Sequence, residues 1–329
     1  MAKTFYAVLC FVVLLCCFGC KPPAPSAEQG ETGNGYTIAD AQGTVVAMSG
    51  KPHRIVTLSM STDEVMLGLV PPSDMAAVDR LLDDPISSNV TALAQKVEGR
   101  IANPTVEEIA ALHPDLVILP DWGDVSQAAA LRDLGLKVVV CKGARNLSEI
   151  KETIRLLSEA VGEPKRGEVL IQKMEQRLAW IKERVDKIPT EERKKVVLIS
   201  LMSSYGGIGS SFDEACRYAG VINGPSVIGL RDGQAMSKEQ LVKINPDIIF
   251  LPSYTNHGEF DVEAFRRAYI EDPSLSSITA VKEKNFREPF EGYVYNCSQD
   301  FVFGVQEIAY RVYGDAFSQP ADEHLSALE

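Results

Sequence analysis

From Tyr36 onward the chain alternates short runs of aliphatic and β-branched residues with stretches whose apolar positions fall three and four apart. The runs "HRIVTLS" (53–59), "PDLVILP" (114–120) and "KVVVCK" (137–142) have strand length and are bounded by turn formers, so they predict strands. Helical spacing marks "EEIAALH" (107–113), "SQAAALRDLG" (126–135) and a long zone over 147–188 that is interrupted only near 162–167. "KKVVLISLM" (194–202) then restarts the alternation. Strands alternating with helices imply an α/β protein with mostly parallel sheets.

The pattern also repeats. "NPTVEEIAALHPDLVILPDW" (103–122) returns as "AMSKEQLVKINPDIIFLPSY" (235–254), an offset of 132 residues (235 minus 103). Glu107 falls on Glu239, Ile109 on Leu241, Leu112 on Ile244, Pro114 on Pro246 and Asp115 on Asp247. A second echo pairs "STDEVMLG" (61–68) with "SFDEACRY" (211–218), each following a strand. Two lobes of similar topology follow, each a central sheet flanked by helices, joined by a long helix. The expected boundaries are 36–146 for the N-terminal lobe, 147–190 for the connecting helical region, 191–315 for the C-terminal lobe and 316–329 for a polar tail.

Capping chemistry sorts the acidic residues of these helices. Thr105 with Glu108 and Ser237 with Gln240 read as capping boxes, and Ser61 with Glu64 and Ser211 with Glu214 read as two more. Glu107 and Glu239 are left over. At 100° per residue each lies about 140 to 160° from the apolar pair it precedes and should face solvent. The helix dipole alone favours a first-turn carboxylate by about 0.3–1 kcal/mol. Two equivalent carboxylates, one per lobe, suit a partner that grips both lobes.

The start of the chain has a different character. Residues 5–19 form an unbroken apolar run of fifteen, short of the roughly 20 a spanning helix needs, so 1–19 reads as a cleaved secretory signal. Residues 20–35 are rich in Pro, Gly, Ser and Glu without apolar periodicity, the composition of a disordered tether. "CFGC" (17–20) resembles a bacterial lipobox, with Gly19 before the Cys20 that would take the lipid; it departs at Cys17, where Leu usually stands. This implies a lipoprotein held at the outer or periplasmic face of the cytoplasmic membrane. Of seven cysteines, three lie in the signal; beyond Cys20 remain Cys141, Cys216 and Cys297, which read as small core residues with at most one bridge. With 45% hydrophobic and 24% charged residues in 329, there is length for two ordinary domains. The net charge of -12 excludes a nucleic-acid backbone as partner.

Taken in order, these segments resemble the substrate-binding proteins of ABC importers for iron-siderophore complexes, haem and cobalamin. The likeness covers about 36–315. It rests on "YTIADAQGTVVAMSGKPHRIVTLSMSTDEVMLGL" (36–69), "NPTVEEIAALHPDLVIL" (103–119) and "DPSLSSITAVKEKNF" (272–286). The resemblance implies two lobes on a rigid connecting helix, a monomeric chain, a ligand held between the lobes and no cofactor. It also implies that Glu107 and Glu239 dock on arginines of a permease dimer in the membrane.

Ligands of open α/β sheets sit beyond the carboxyl ends of the strands. The binding candidates are therefore Met60 and Ser61, Trp122, Tyr205, Tyr254, His257 and the run from Tyr295 to Phe301, with Arg100 and Arg231 beside them. Aromatic side chains offer flat apolar area to a macrocycle or catecholate, and an arginine complements an anionic chelate. Cobalamin binders of the family place a Trp before the "E-x-I" helix, where this chain has "VEGRIANP". Arg100 there is similar to siderophore binders, so an iron-siderophore complex is the first expectation. Haem would need an axial ligand from Tyr205, His257 or Met60.

Other classes fare worse. Bare-metal binding wants converging His and carboxylates, and of four histidines only His257 lies at a strand end with no other role. "GGIGSS" (206–211) lacks the spacing of a dinucleotide fingerprint and the Lys of a phosphate loop, and no acid pair or nucleophile set emerges, so an enzyme is not expected. A sensor that keeps the binding fold but signals through another membrane protein stays open.

Overall fold

The computed structural model describes residues 35–123, 125–255 and 258–328. The signal segment, the tether, Cys20 and His257 lie outside the described residues.

Eleven strands are described. An antiparallel hairpin, β1 (Tyr36–Ala39) and β2 (Val45–Met48), precedes two parallel sheets. The first sheet has the order β5-β4-β3-β6-β7, from β3 (Ile55–Thr57), β4 (Met75–Asp79), β5 (Gly99–Ile101), β6 (Leu116–Pro120) and β7 (Val138–Cys141). The second has the order β11-β10-β8-β9, from β8 (Lys195–Leu198), β9 (Ile222–Asn223), β10 (Ile248–Phe250) and β11 (Phe286–Arg287). Superposing β8 on β3 maps β10 on β6, β11 on β7 and β9 on β4, the same winding in both lobes.

Each sheet is covered on both faces, which is why its strands read as unbroken apolar runs. Along β6, Leu116 and Ile118 enter the large shared core while Val117 and Leu119 enter an outer core with Ile109 and Leu131. In β10 and the residue after it, Ile248 and Phe250 turn to the shared core, Ile249 and Leu251 to an outer core with Leu241 and Ile244. This period of two fixes register, since a slip by one residue would exchange the faces.

The main helices are α1 (Met60–Leu69), α2 (Val106–Ala111), α3 (Val125–Asp133), α4 (Leu147–Ala160), α5 (Pro164–Val185), α6 (Ser211–Tyr218), α7 (Lys238–Ile244), α8 (Val262–Ile270) and α9 (Phe301–Tyr313). The long helical zone breaks where its glycines stand: Gly162 takes φ +68 after α4. Gly167 lets α5 cross closely, because a Cβ there would lie 2.2 Å from Ser158 Oγ. Helix α4 packs on β1, β7 and α1, so α5 alone is the connection. Its 22 residues span about 33 Å. It touches α1 in one lobe and α6 in the other.

Of the stretch 316–329, expected as a polar tail, the described residues 316–328 are instead built into the body. Phe317 is buried against Trp180, the Leu325 amide donates to Asp300 Oδ1 at 2.9 Å, the Ala327 amide to the Gly68 carbonyl at 2.9 Å, and Lys173 Nζ to the Ser326 carbonyl at 2.5 Å. It straps the N-terminal lobe and α5 to the segment before α9.

Two of the four expected capping boxes form. Ser59, not Ser61, caps α1, and Ser210, not Ser211, caps α6. Glu64 is buried, its carboxylate accepting from Asn296 Nδ2 at 2.9 Å, and Glu214 pairs with Arg217 at 3.0 Å. Cys141, Cys216 and Cys297 are all free, so no bridge forms among them.

Candidate functional site

The carboxyl ends of the strands in each lobe open onto a hollow. On the N-terminal side a cavity of about 530 Å³ is lined by Leu58–Ser61 after β3, Asp79 and Leu81 at β4, Ile101, Asn103 and Pro104 at the end of β5, and Leu119, Pro120, Trp122 and Gly123 at β6. On the C-terminal side a smaller cavity of about 140 Å³ is lined by Ser200 to Tyr205 after β8, Leu230, the approach to α7 at 234–236, and Phe265 and Tyr269. Tyr295 connects them. It lines the first cavity, its ring lies 5.2 Å from that of Tyr205, and its hydroxyl donates to Ser200 Oγ at 3.0 Å in the second. The larger volume alone is in the range of small-ligand pockets.

Of the predicted residues, Met60, Ser61, Trp122, Tyr205 and Tyr295 line these walls. Trp122 is 65% exposed and Met202 is 53% exposed, one large apolar side chain on each wall. The indole packs on Gly143, where a Cβ would come within 1.8 Å of Trp122 Cδ1. Tyr205 donates or accepts at Ser211 Oγ, 2.8 Å away, and burial holds the Tyr205 and Tyr295 phenols well above their ordinary value. Both are therefore neutral hydrogen-bonding groups near pH 7. Cys297 sits in a small side hollow with Trp122, its thiol pushed up by burial to about 11 and hence protonated.

Three candidates stand elsewhere. Arg100 is corrected: its guanidinium is spent on Asp83, at 2.6 and 2.9 Å, and on the carbonyls of Ala94, Val97 and Gly99. It braces the turn before β5 and has no donor left for a chelate. Arg231 is exposed and lines neither cavity, its backbone bridging to Ile208. Tyr254 is half-buried between the lobes, its amide donating to Glu291 Oε1 at 2.9 Å.

Asp79 and Gln127 were missed. Asp79 ends β4, whose "MAAVD" is too rich in alanine to announce a strand. Its Oδ1 accepts from the Leu81 amide at 2.8 Å, and burial raises the carboxyl pKa. Gln127 fastens α3 to the Pro104 carbonyl at 2.8 Å.

The repeated helix starts flank the two cavities. Thr105 Oγ1 accepts from the Glu108 amide at 3.2 Å while the Thr105 amide donates to Glu108 Oε2 at 2.7 Å; Ser237 and Gln240 do the same at 3.2 and 2.9 Å. Each helix leaves through a left-handed residue, His113 at φ 48 and Asn245 at φ 48. Asp115 then clamps the neighbouring strand by accepting from the His53 and Arg54 amides, and Asp247 by accepting from the Lys195 amide. Glu107 and Glu239 are both exposed, each just past a segment that lines its cavity. Hydrogen bonding from Ser237 and the local backbone holds Glu239 below the usual carboxylate range. Among the described residues no group of three or more His, Cys, Asp or Glu converges to hold a metal ion.

The family model described as periplasmic binding protein matches residues 55–288. The chain belongs to that family. The resemblance read from the sequence therefore holds, and with it the two-lobed α/β class; the family's proteins carry ligands rather than cofactors. An uncharacterized ABC transporter substrate-binding lipoprotein, YvrC of Bacillus subtilis, is 27% identical over 97% of this chain and 99% of its own length. The Fe(3+)-citrate-binding protein YfmC of the same organism is 25% identical over 88% of each chain. Among solved structures, the apo periplasmic heme-binding protein RhuT from Roseiflexus sp. RS-1 shares the fold with a TM-score of 0.68 at 20% identity, covering 81% of this chain and 100% of that one.

Proposed function

We propose that this protein is the extracytoplasmic binding component of an ABC importer, that it captures an iron-siderophore complex between its lobes, and that it docks on the permease through Glu107 and Glu239. The observation carrying this reading is the pair of exposed carboxylates at matching first-turn positions, each beside the cavity of its lobe. The family supports transport of a bound ligand, and relatives named for ferric citrate and haem support a metal chelate as cargo. The walls supply aromatic area and neutral hydroxyls, which suit binding without bond cleavage. Lipid attachment at Cys20 would keep the protein beside its permease; Cys20→Ala should move it to the soluble fraction.

Of the two tryptophans, Trp122 lines the cleft and Trp180 lies on α5. Quenching of Trp122 emission by ferric siderophores, haemin and cobalamin is the direct test. Saturable quenching by a ferric siderophore, absent in Trp122→Phe, is expected; a protein that holds none of these ligands would end the proposal.

A further inference from the structure

We infer that the cargo of this cleft is a metal chelate with no net negative charge, and that Asp79 is its one charged contact. The inference rests on the reading of the cleft as a metal-chelate site. Among the described residues lining the two cavities, Asp79 is the only one with a formal charge. Everything else offers apolar surface, hydroxyls or amides, as from Trp122, Tyr295, Ser200, Asn103 and Gln127. A neutral amide- or hydroxamate-rich surface finds hydrogen-bond partners there. A polyanion would give up its hydration and find no cation.

Of the nearby cations, Arg100 and Lys142 are committed to acids, while Arg80 and Arg231 are exposed and line neither cavity. Arg100 spends all its donors inside its own lobe, on the groups named above. Lys142, which lines the small side hollow, pairs with Glu149 at 3.0 Å and lies near Glu152 and Asp121 as well. Arg80 is exposed, and around the adjacent Tyr254 it is outnumbered by Asp84, Glu291 and Glu259. Arg231 lines neither cavity. With a chain charge of -12, the long-range field opposes an approaching anion too.

The test compares ferric chelates that differ in charge. Full-length mature protein is titrated with a neutral ferric trihydroxamate, a monocationic ferric trihydroxamate, ferric citrate and a ferric tris-catecholate of charge about -3, by Trp122 quenching and by equilibrium dialysis for iron. Expected Kd values for the neutral and cationic trihydroxamates are at least about a hundredfold lower than for the two anions. Asp79→Asn keeps an acceptor for the Leu81 amide, so the fold should hold, checked by melting. It should weaken the monocationic chelate about tenfold and leave the neutral one within about twofold. Tightest binding of ferric citrate or the catecholate overturns the inference while leaving chelate transport standing. An equal loss for both trihydroxamates removes Asp79 as the charged contact and overturns that half. Binding of none of the chelates brings down the transport reading and this inference with it.

Discussion

Thr105 and Ser237 cap matching helices with matching partners, and His113 and Asn245 leave those helices through the same left-handed turn. The loops beyond the strands are unlike. Two residues (58–59) separate β3 from α1, whereas twelve (199–210) separate β8 from α6 and supply Ser200, Met202 and Tyr205 to the cleft. The helix–strand unit is held by reciprocal caps and an aspartate clamp, so it tolerates little change. The loops only have to close, which costs little per added residue. Sameness therefore lies at the two exposed carboxylates for which docking is proposed, and difference in the loops that line the two cavities.

The largest effect is expected from breaking that sameness at its surface. Glu107→Ala combined with Glu239→Ala should lower uptake of the cargo by cells more than tenfold while the purified protein keeps its Kd within about twofold. Either variant alone should do less; normal uptake by the double variant would sink the docking role. The clamps come next. Asp115 accepts from two amides and Asp247 from one, so Asp115→Ala should cost more, with each lost bond worth about 0.5–1.5 kcal/mol because water can reach the freed amides. Thermal melts that rank the two variants the other way would refute this accounting.

The acids of the second echo sharpen the contrast through pH. Burial first, then the nearby Asp300, raises the Glu64 carboxyl well above 4.5. The native state then keeps a proton that the unfolded chain has released, so stability falls as pH climbs from about 4.5 toward the folded value. Glu64→Gln should flatten that slope and stabilise the protein at neutral pH. Glu214→Gln, which loses only the pairing with Arg217, should leave the slope in place. Chemical unfolding at several pH values reads both.

The smallest effect is expected at the left-handed turns. His113→Gly removes a strained non-glycine residue and should stabilise by at most about 1 kcal/mol. Asn245→Gly also loses the bond from the Thr279 amide to Asn245 Oδ1, so it should show no gain.

How much of this could be read from residues alone depended on distance along the chain. The repeat, two capping boxes and the exposure of Glu107 and Glu239 rest on neighbours within four positions, and local chemistry determines them. Arg100 failed as a ligand because Asp83, seventeen residues away, claims it. Glu64 failed as a cap because Asn296, far along the chain, draws it into the core, leaving Ser59 to cap α1. The strap over 316–328 was illegible because its few apolar residues follow no period. Tyr295 emerged only as one point in a candidate run; its place between the two cavities is a property of the assembled lobes.

The bond from the Ala327 amide to the Gly68 carbonyl joins positions 259 apart (327 minus 68). Glu64 likewise takes its partner Asn296 from 232 positions away, and Leu325 and Ala327 complete the strap. Contacts of such sequence separation reward folding only after the chain between them has been ordered, so this strap is expected to close late.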